Sequence, residues 1–179
     1  MLTFQISAQA LRDCQGHAKL ACLGGASHIR DEQDRLDRLF EDQVVGQLGQ
    51  YYLSVWLHGT PAEYHLQRCV CNQRPTEGDG GADIIGSNLD VKASLMRASS
   101  DPMRYRLAVR PAELNDGWIY VLALVEPMFT KIHLMGFAVA DDLLERSTEN
   151  EGPFAGARCI AASELTPLPP IDWSSRFPQ

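Results

Sequence analysis

The chain of 179 residues lacks any long apolar run, and this absence argues against a protein with a membrane-spanning helix. A helix that crosses a bilayer needs roughly 18 consecutive, mostly apolar residues, and no stretch of this chain has them. The first ten residues carry neither a basic start nor the apolar core of a secretory signal. We therefore expect a cytoplasmic protein with no membrane partner.

Cysteine is too irregularly spaced to build a secreted disulfide framework, and the five cysteines form an odd number. Two short motifs, Cys14-x-x-His17 and Cys69-x-Cys71, offer a zinc site as one alternative. The spacing instead favours a helix that carries Cys14 and His17 without a second pair of zinc ligands nearby. The free thiols then act as small buried hydrophobes.

The chain also has fewer basic than acidic residues. Its 16 Lys and Arg residues and 23 Asp and Glu residues give a formal net charge of −7. A nucleic-acid partner needs local positive charge. The basic residues are unevenly placed, however, and one segment carries Lys92, Arg97, Arg104, Arg106 and Arg110. This segment is locally basic on an acidic protein and suits a nucleic-acid partner.

No internal repeat or low-complexity segment divides the chain, and its length suits a single domain, residues 1–179. Ser7 can cap a first helix that ends near Leu23, before Gly24 and Gly25. Apolar residues then recur every three or four positions from about residue 31 to residue 57, which predicts a long second helix ending before Gly59.

Beyond this helix the apolar period changes to two, which predicts strands. The predicted strands span residues 63–71, 82–85, 89–93, 104–110, 118–125, 131–139 and 158–161, with a loop over 72–81 and a short helix capped by Asp141. The order of elements predicts an α/β domain with a mixed central sheet flanked by helices. Its core covers about residues 28–165, with the helix over 7–24 and a Pro-rich tail over 166–179 as additions, and Trp173 and Phe177 of the tail can dock back.

Residues 80–92, which read GGADIIGSNLDVK, form the most informative segment. Gly86-Ser87 fits a two-residue hairpin turn, and the resulting register places Asp83 opposite Asp90. Because side chains alternate along a strand, Lys92 shares their face. The apolar residues of the hairpin share the other face and can pack on a helix: Ala82, Ile84, Leu89 and Val91.

Two carboxylates directly across a hairpin, with Cβ atoms about 5 Å apart, repel each other. A divalent cation between Asp83 and Asp90 removes the repulsion, and Mg²⁺ commonly takes only one or two protein carboxylates, with water and substrate phosphate as its other ligands. Such an ion can activate water for attack on a phosphodiester, and Lys92 can stabilise the charge that develops. The alternative is a solvated hairpin tip with incidental charges.

Asp83, a short hairpin and then Asp90-x-Lys92 resemble the core motif of the PD-(D/E)XK nuclease superfamily, and the resemblance covers roughly residues 36–140. It implies a restriction-endonuclease-like fold and Mg²⁺- or Mn²⁺-dependent hydrolysis of DNA phosphodiester bonds. It also implies that Asp83 and Asp90 bind the metal and that Lys92 is catalytic. Ala82 stands where the family often has proline.

Members of this superfamily usually add an acidic residue from the preceding helix, in a pattern that resembles Gly-x-x-Gly-Glu. The present chain has Gly46, Gly49 and then Gln50. We expect Gln50 to complete the catalytic site and the two glycines to let the hairpin approach closely. Glu41, about two and a half turns or ~13 Å earlier, is the alternative. An amide can hold a metal-bound water, but it cannot act as a base.

Arg104 and Arg106 fall on one face of their predicted strand and, with Arg97, are candidate contacts to a DNA backbone, as Ser94 is to a phosphate. A solvated edge-strand face explains them as well. Two other functions stay open: a catalytically weakened module that binds nucleic acid or a partner protein, and an unrelated α/β protein that acts as a partner subunit. A homodimer is also open.

Overall fold

A computed structural model describes residues 1–23, 33–73, 83–84, 86–149 and 156–171. Its strands are β1 (Leu2–Gln5), β2 (Leu89–Leu95), β3 (Arg106–Val109), β4 (Ile119–Val125), β5 (Lys131–Val139), β6 (Thr148–Glu149) and β7 (Arg158–Ala161). Its α-helices are α1 (Ala8–Leu23), α2 (Gln33–His58), α3 (Ala62–Gln73) and α4 (Ala140–Glu145). Among the described residues, no helix is both long and apolar enough to cross a membrane.

The ends of the first two helices follow the local signals in the sequence. Ser7 Oγ accepts a hydrogen bond of 3.1 Å from the N–H of Ala10, as expected of an N-cap. Gly59, just after α2, has a φ of +73° and donates its N–H to the carbonyl of Val55. These two predicted boundaries are confirmed, whereas the predicted stop at Gly24 and Gly25 lies outside the described residues, as do Trp173 and Phe177.

The larger sheet has the strand order β1-β5-β4-β2, in which β2 and β4 are parallel and the other pairs are antiparallel. The predicted α/β class with a mixed sheet is therefore confirmed. A second, smaller antiparallel sheet has the order β3-β7-β6. Strand β1 was not predicted from the sequence, and it pairs with β5 so that Leu2 lies opposite Leu134.

Strand β4 separates two apolar cores. Val121, Ala123 and Val125 face the core that contains α1 and α2, and the alternate residues face the core that contains β3, β7 and α4. Every residue of β4 after Ile119 is buried. This burial on both faces explains the nearly continuous apolar run.

One predicted strand is wrong, and two other predicted elements, a strand and a short helix, are present but differ in detail. Residues 63–71 lie in helix α3, where Tyr64, Gln67 and Arg68 are buried at helical spacing. Arg104 lies in a 3₁₀ turn, Pro102–Arg104, so it does not share a strand face with Arg106. Helix α4 begins at Ala140 after Val139, and no described side chain caps it.

The predicted hairpin also differs in its first arm. Asp83 and Ile84 form bends rather than a strand, although β2 follows as expected and extends two residues further, to Leu95. Ser87 donates its N–H to the carbonyl of Ile84, which places Gly86, with a φ of +73°, at the third position of the turn. A glycine tolerates this conformation because it has no Cβ.

Candidate active site

Asp83 lies beside the start of β2. Its N–H donates to the carbonyl of Leu89 at 2.9 Å, and its Oδ2 accepts the N–H of Val91 at 2.6 Å. Asp90 lies between Leu89 and Val91 in the chain, so these two bonds hold Asp83 next to Asp90, as the sequence predicted. Ile84 and Val91 are buried in the core under α2, so the apolar face of the segment packs as expected for its described residues.

Helix α2 brings Gln50 to this carboxylate, and Gln50 Nε2 donates a hydrogen bond to Asp83 Oδ1. A Cβ on the preceding Gly49 would lie 3.0 Å from the Cβ of Ala93 and 3.3 Å from Val91 Cγ1. Glycine therefore lets α2 lie close against β2. The predicted position of Gln50 is confirmed, whereas Glu41 is exposed on the same helix.

Gly46 does not share the role of Gly49. A Cβ at Gly46 would meet none of the described atoms within 4 Å. The expectation that both glycines permit a close approach is therefore wrong for Gly46.

Lys92 lies between two carboxylates. Its Nζ is 2.9 Å from Asp90 Oδ2 and 3.0 Å from Glu113 Oε2. Glu113 was not predicted, and it reaches Lys92 from a 3₁₀ turn, Pro111–Glu113, that precedes β4. No local pattern marks such a contact, because it joins segments that are distant in sequence.

Buried Tyr120 fixes the turn that carries Glu113. Its hydroxyl donates to the carbonyl of Glu113 at 2.8 Å and accepts the N–H of Asn115 at 2.7 Å. Tyr120 also lies directly opposite Asp90 in the β2–β4 pairing. The backbone at Glu113 is thus tied to the same strand that supports Asp90.

The surroundings shift the pKa values of both charged residues in β2. Burial raises the pKa of Asp90, although Lys92 and a hydrogen bond with Asp83 oppose this shift. Burial alone would lower the pKa of Lys92, but the carboxylates of Asp90 and Glu113 outweigh it and raise that pKa. Lys92 is therefore charged at neutral pH, and Asp90 holds a proton more readily than a free aspartate.

The donor set suits a hard divalent cation. Asp83 and Asp90 are 5% and 7% exposed, and their carboxylates are close enough to share a hydrogen bond. Gln50 Oε1 is buried and has no hydrogen-bond partner among the described residues. Two carboxylates and an unsatisfied amide oxygen fit Mg²⁺ or Mn²⁺, although no group of three or more His, Cys, Asp or Glu in the described ranges is arranged for a metal.

A cleft of about 380 Å³ opens next to Lys92, between β2 and the smaller sheet. Lys92 and Ser94 line one wall, and Arg106 and Arg110 line the other. Arg106 lies in β3 and Arg110 directly follows it, and Leu107 and Val109, which alternate with these arginines, are buried in the core. Strand alternation therefore directs the basic side chains into the cleft.

The predicted nucleic-acid contacts are only partly brought together. All three arginines are exposed, but Arg106 lines the cleft, whereas Arg97 and Arg104 lie outside its described lining. Arg110, noted in the sequence only as part of the basic segment, also lines the cleft.

The surroundings of Cys14 do not suit the alternative zinc site. Cys14 is fully buried, and the hydroxyl of Tyr64 donates to its Sγ at 3.6 Å. Burial raises the pKa of Cys14 to about 12. Zinc binds thiolates, so Cys14 is a poor ligand in this environment. Cys69 is exposed, and the side chain of Cys71 lies outside the described residues.

Comparison with known proteins does not assign the chain to a family. No protein-family model matches the chain, and no curated protein or solved structure shows significant similarity to it.

Proposed function

We propose that the protein is a Mg²⁺- or Mn²⁺-dependent deoxyribonuclease with a restriction-endonuclease-like core. The observation that carries the proposal is the convergence of Asp83, Asp90 and Lys92 at the start of β2, beside a cleft with a basic wall. Like-charged carboxylates are costly to bury together. A metal-dependent function gives this arrangement a chemical reason.

Each residue has a distinct role in the proposed reaction. Asp83 and Asp90 would hold the cation, which supplies water activation and charge stabilisation at phosphorus when bound. Lys92 faces the cleft and stabilises negative charge as it develops on the phosphate. Gln50 holds Asp83 in place through its amide. Arg106 and Arg110 neutralise the substrate backbone.

The test is cleavage by the purified protein of plasmid, linear duplex and single-stranded DNA with Mg²⁺, Mn²⁺ or chelator. We expect metal-dependent cleavage by the wild type and none by Asp83→Asn, which keeps the shape of the side chain but removes a charged ligand. Calorimetric titration with Mn²⁺ should show weaker binding to Asp83→Asn. Equal cleavage by both proteins would contradict the assignment.

A second function, a nucleic-acid-binding or partner-binding module without strong catalysis, is favoured by one observation. Gln50 stands where the resembled family has an acid, and its amide donates to Asp83. A neutral amide cannot accept a proton from water. Metal-dependent retention of DNA without cleavage in the same assay would favour this module over the nuclease.

A further inference from the structure

The carboxylate of Glu113 lies at the place where a substrate phosphate would meet the basic residues of the cleft. Its Oε2 is 3.0 Å from Lys92 Nζ, and its Oε1 is 3.9 Å from Arg110 Nη1. Two anionic oxygens held by a lysine and an arginine have the same chemistry as two oxygens of a phosphate. Glu113 therefore occupies a position suited to a phosphodiester.

The side chain of Glu113 can leave this position without any change in the fold. Its backbone is fixed by the hydroxyl of Tyr120, but the side chain is 39% exposed. The Lys92 side chain is less exposed, at 26%, and remains bonded to Asp90 at 2.9 Å. Rotation of Glu113 toward solvent would leave Lys92 in place with a donor directed into the cleft.

We infer that Lys92 and Arg110 form an oxyanion subsite that Glu113 fills in the free protein and that a phosphate group of the nucleic acid takes over. The inference rests on the proposed function and adds a residue that controls substrate affinity. Glu113 does not act on the substrate itself: it occupies the position between Lys92 and Arg110 until the substrate phosphate displaces it.

Replacement of Glu113 by glutamine separates this role from a purely structural one. The variant Glu113→Gln keeps the size of the side chain and removes the charge that competes with phosphate. If the ion pair of Glu113 with Lys92 served only to hold the turn against β2, its loss would lower stability and leave substrate binding unimproved. If Glu113 competes with phosphate, binding must become tighter.

Asp116→Asn provides a matched control. Asp116 is exposed in the loop that follows the same turn, and this variant also removes one negative charge. The experiment measures binding of a labelled single-stranded oligonucleotide in chelator, where metal-dependent cleavage does not intervene. We expect Glu113→Gln to bind about two- to five-fold more tightly than the wild type, the range that one partly screened charge contact supports. We expect Asp116→Asn to bind like the wild type.

Three further measurements separate an effect on the subsite from an effect on folding. Arg110→Gln should bind more weakly than the wild type, because it removes one side of the subsite. In a cleavage assay, Glu113→Gln should lower KM, whereas the loss of a purely structural contact would leave KM unchanged or raise it. Thermal melts check that each variant folds, and Arg110→Gln tests the subsite even if Glu113→Gln does not fold.

Three results would overturn the inference: unchanged or weaker binding by folded Glu113→Gln, equal tightening by Asp116→Asn, or no binding by any variant. Failure of the proposed function looks different. In that case the wild type cleaves no DNA with any metal, while Glu113→Gln still binds the oligonucleotide more tightly than the wild type does.

Discussion

At the scale of single residues, the site depends on how each charge is compensated. Asp90 is buried but bonded to Lys92, and Lys92 in turn has Glu113 as a second partner. Removal of one member of a partly buried ion pair leaves the other without compensation. Substitutions here therefore change both the protonation of the neighbours and the chemistry, and they need a fold control.

Lys92→Ala should abolish most cleavage while the protein still binds metal. A protonated amine has no lone pair for a metal, so the loss falls on stabilisation of the transition state. We expect kcat to fall about a hundred- to a thousand-fold, the usual cost of one charge-stabilising donor. Cleavage assays and Mn²⁺ calorimetry measure the two effects separately.

Lys131→Ala is the control for Lys92→Ala, because Lys131 is a half-exposed lysine on β5 whose ion pair with Glu126 is longer, at 3.8 Å. It should cleave like the wild type. A similar loss of cleavage in both lysine variants would mean that the effect is not specific to the site.

At the scale of elements, the approach of α2 to β2 places Gln50 at Asp83. The two glycines of α2 differ in their surroundings, since only Gly49 lies against described atoms of β2. They form a natural pair of test positions on one helix, one at the contact and one away from it.

Gly46→Ala should stabilise the protein, because alanine is favoured over glycine in a helix by about 0.8–1 kcal/mol. Gly49→Ala gains the same helical preference but places a Cβ 3.0 Å from the Cβ of Ala93. Overpacking of this kind costs about 1–3 kcal/mol. We expect Gly49→Ala to unfold at a lower urea concentration than Gly46→Ala and to cleave DNA more slowly. Equal midpoints would contradict the close packing.

Elements with a strong local signal were predictable from the sequence. The apolar stripe of α2 and the buried run of β4 come from residues that repeat with a clear period, and β5 and β7 were predicted with their observed bounds. Helix α3 was not, because Tyr64 and Leu66 suggested a period of two, whereas Leu66 is 52% exposed. Strand β1 has four residues and depends on β5 for its pairing.

At the scale of the whole molecule, the site combines local and distant contributions. The placement of Asp83 beside Asp90 followed from a short segment and was predictable. Glu113 reaches Lys92, and Arg110 lines the same cleft, only because the smaller sheet and its adjoining turn pack against β2. Such contacts depend on tertiary packing, and no period or motif in a single sequence predicts them.

The distribution of charge over the molecule leads to a last prediction. The chain has a net charge of −7, so binding of DNA must depend on the few arginines that the fold directs into the cleft. Arg106 lines the cleft, whereas Arg104 lies outside its described lining. Arg106→Gln should weaken DNA binding and make it less dependent on salt, with the slope of log K against log salt falling by about one.

Arg104→Gln is the matched control, since it removes the same charge from an exposed position only two residues away in sequence. Fluorescence anisotropy over a range of salt concentrations measures both the affinity and the slope. If the general field of the protein governed binding, the two variants would behave alike, because their net charges are equal. A larger loss in Arg104→Gln would place the nucleic acid outside the cleft and would remove the support that the basic wall gives to the proposed nuclease.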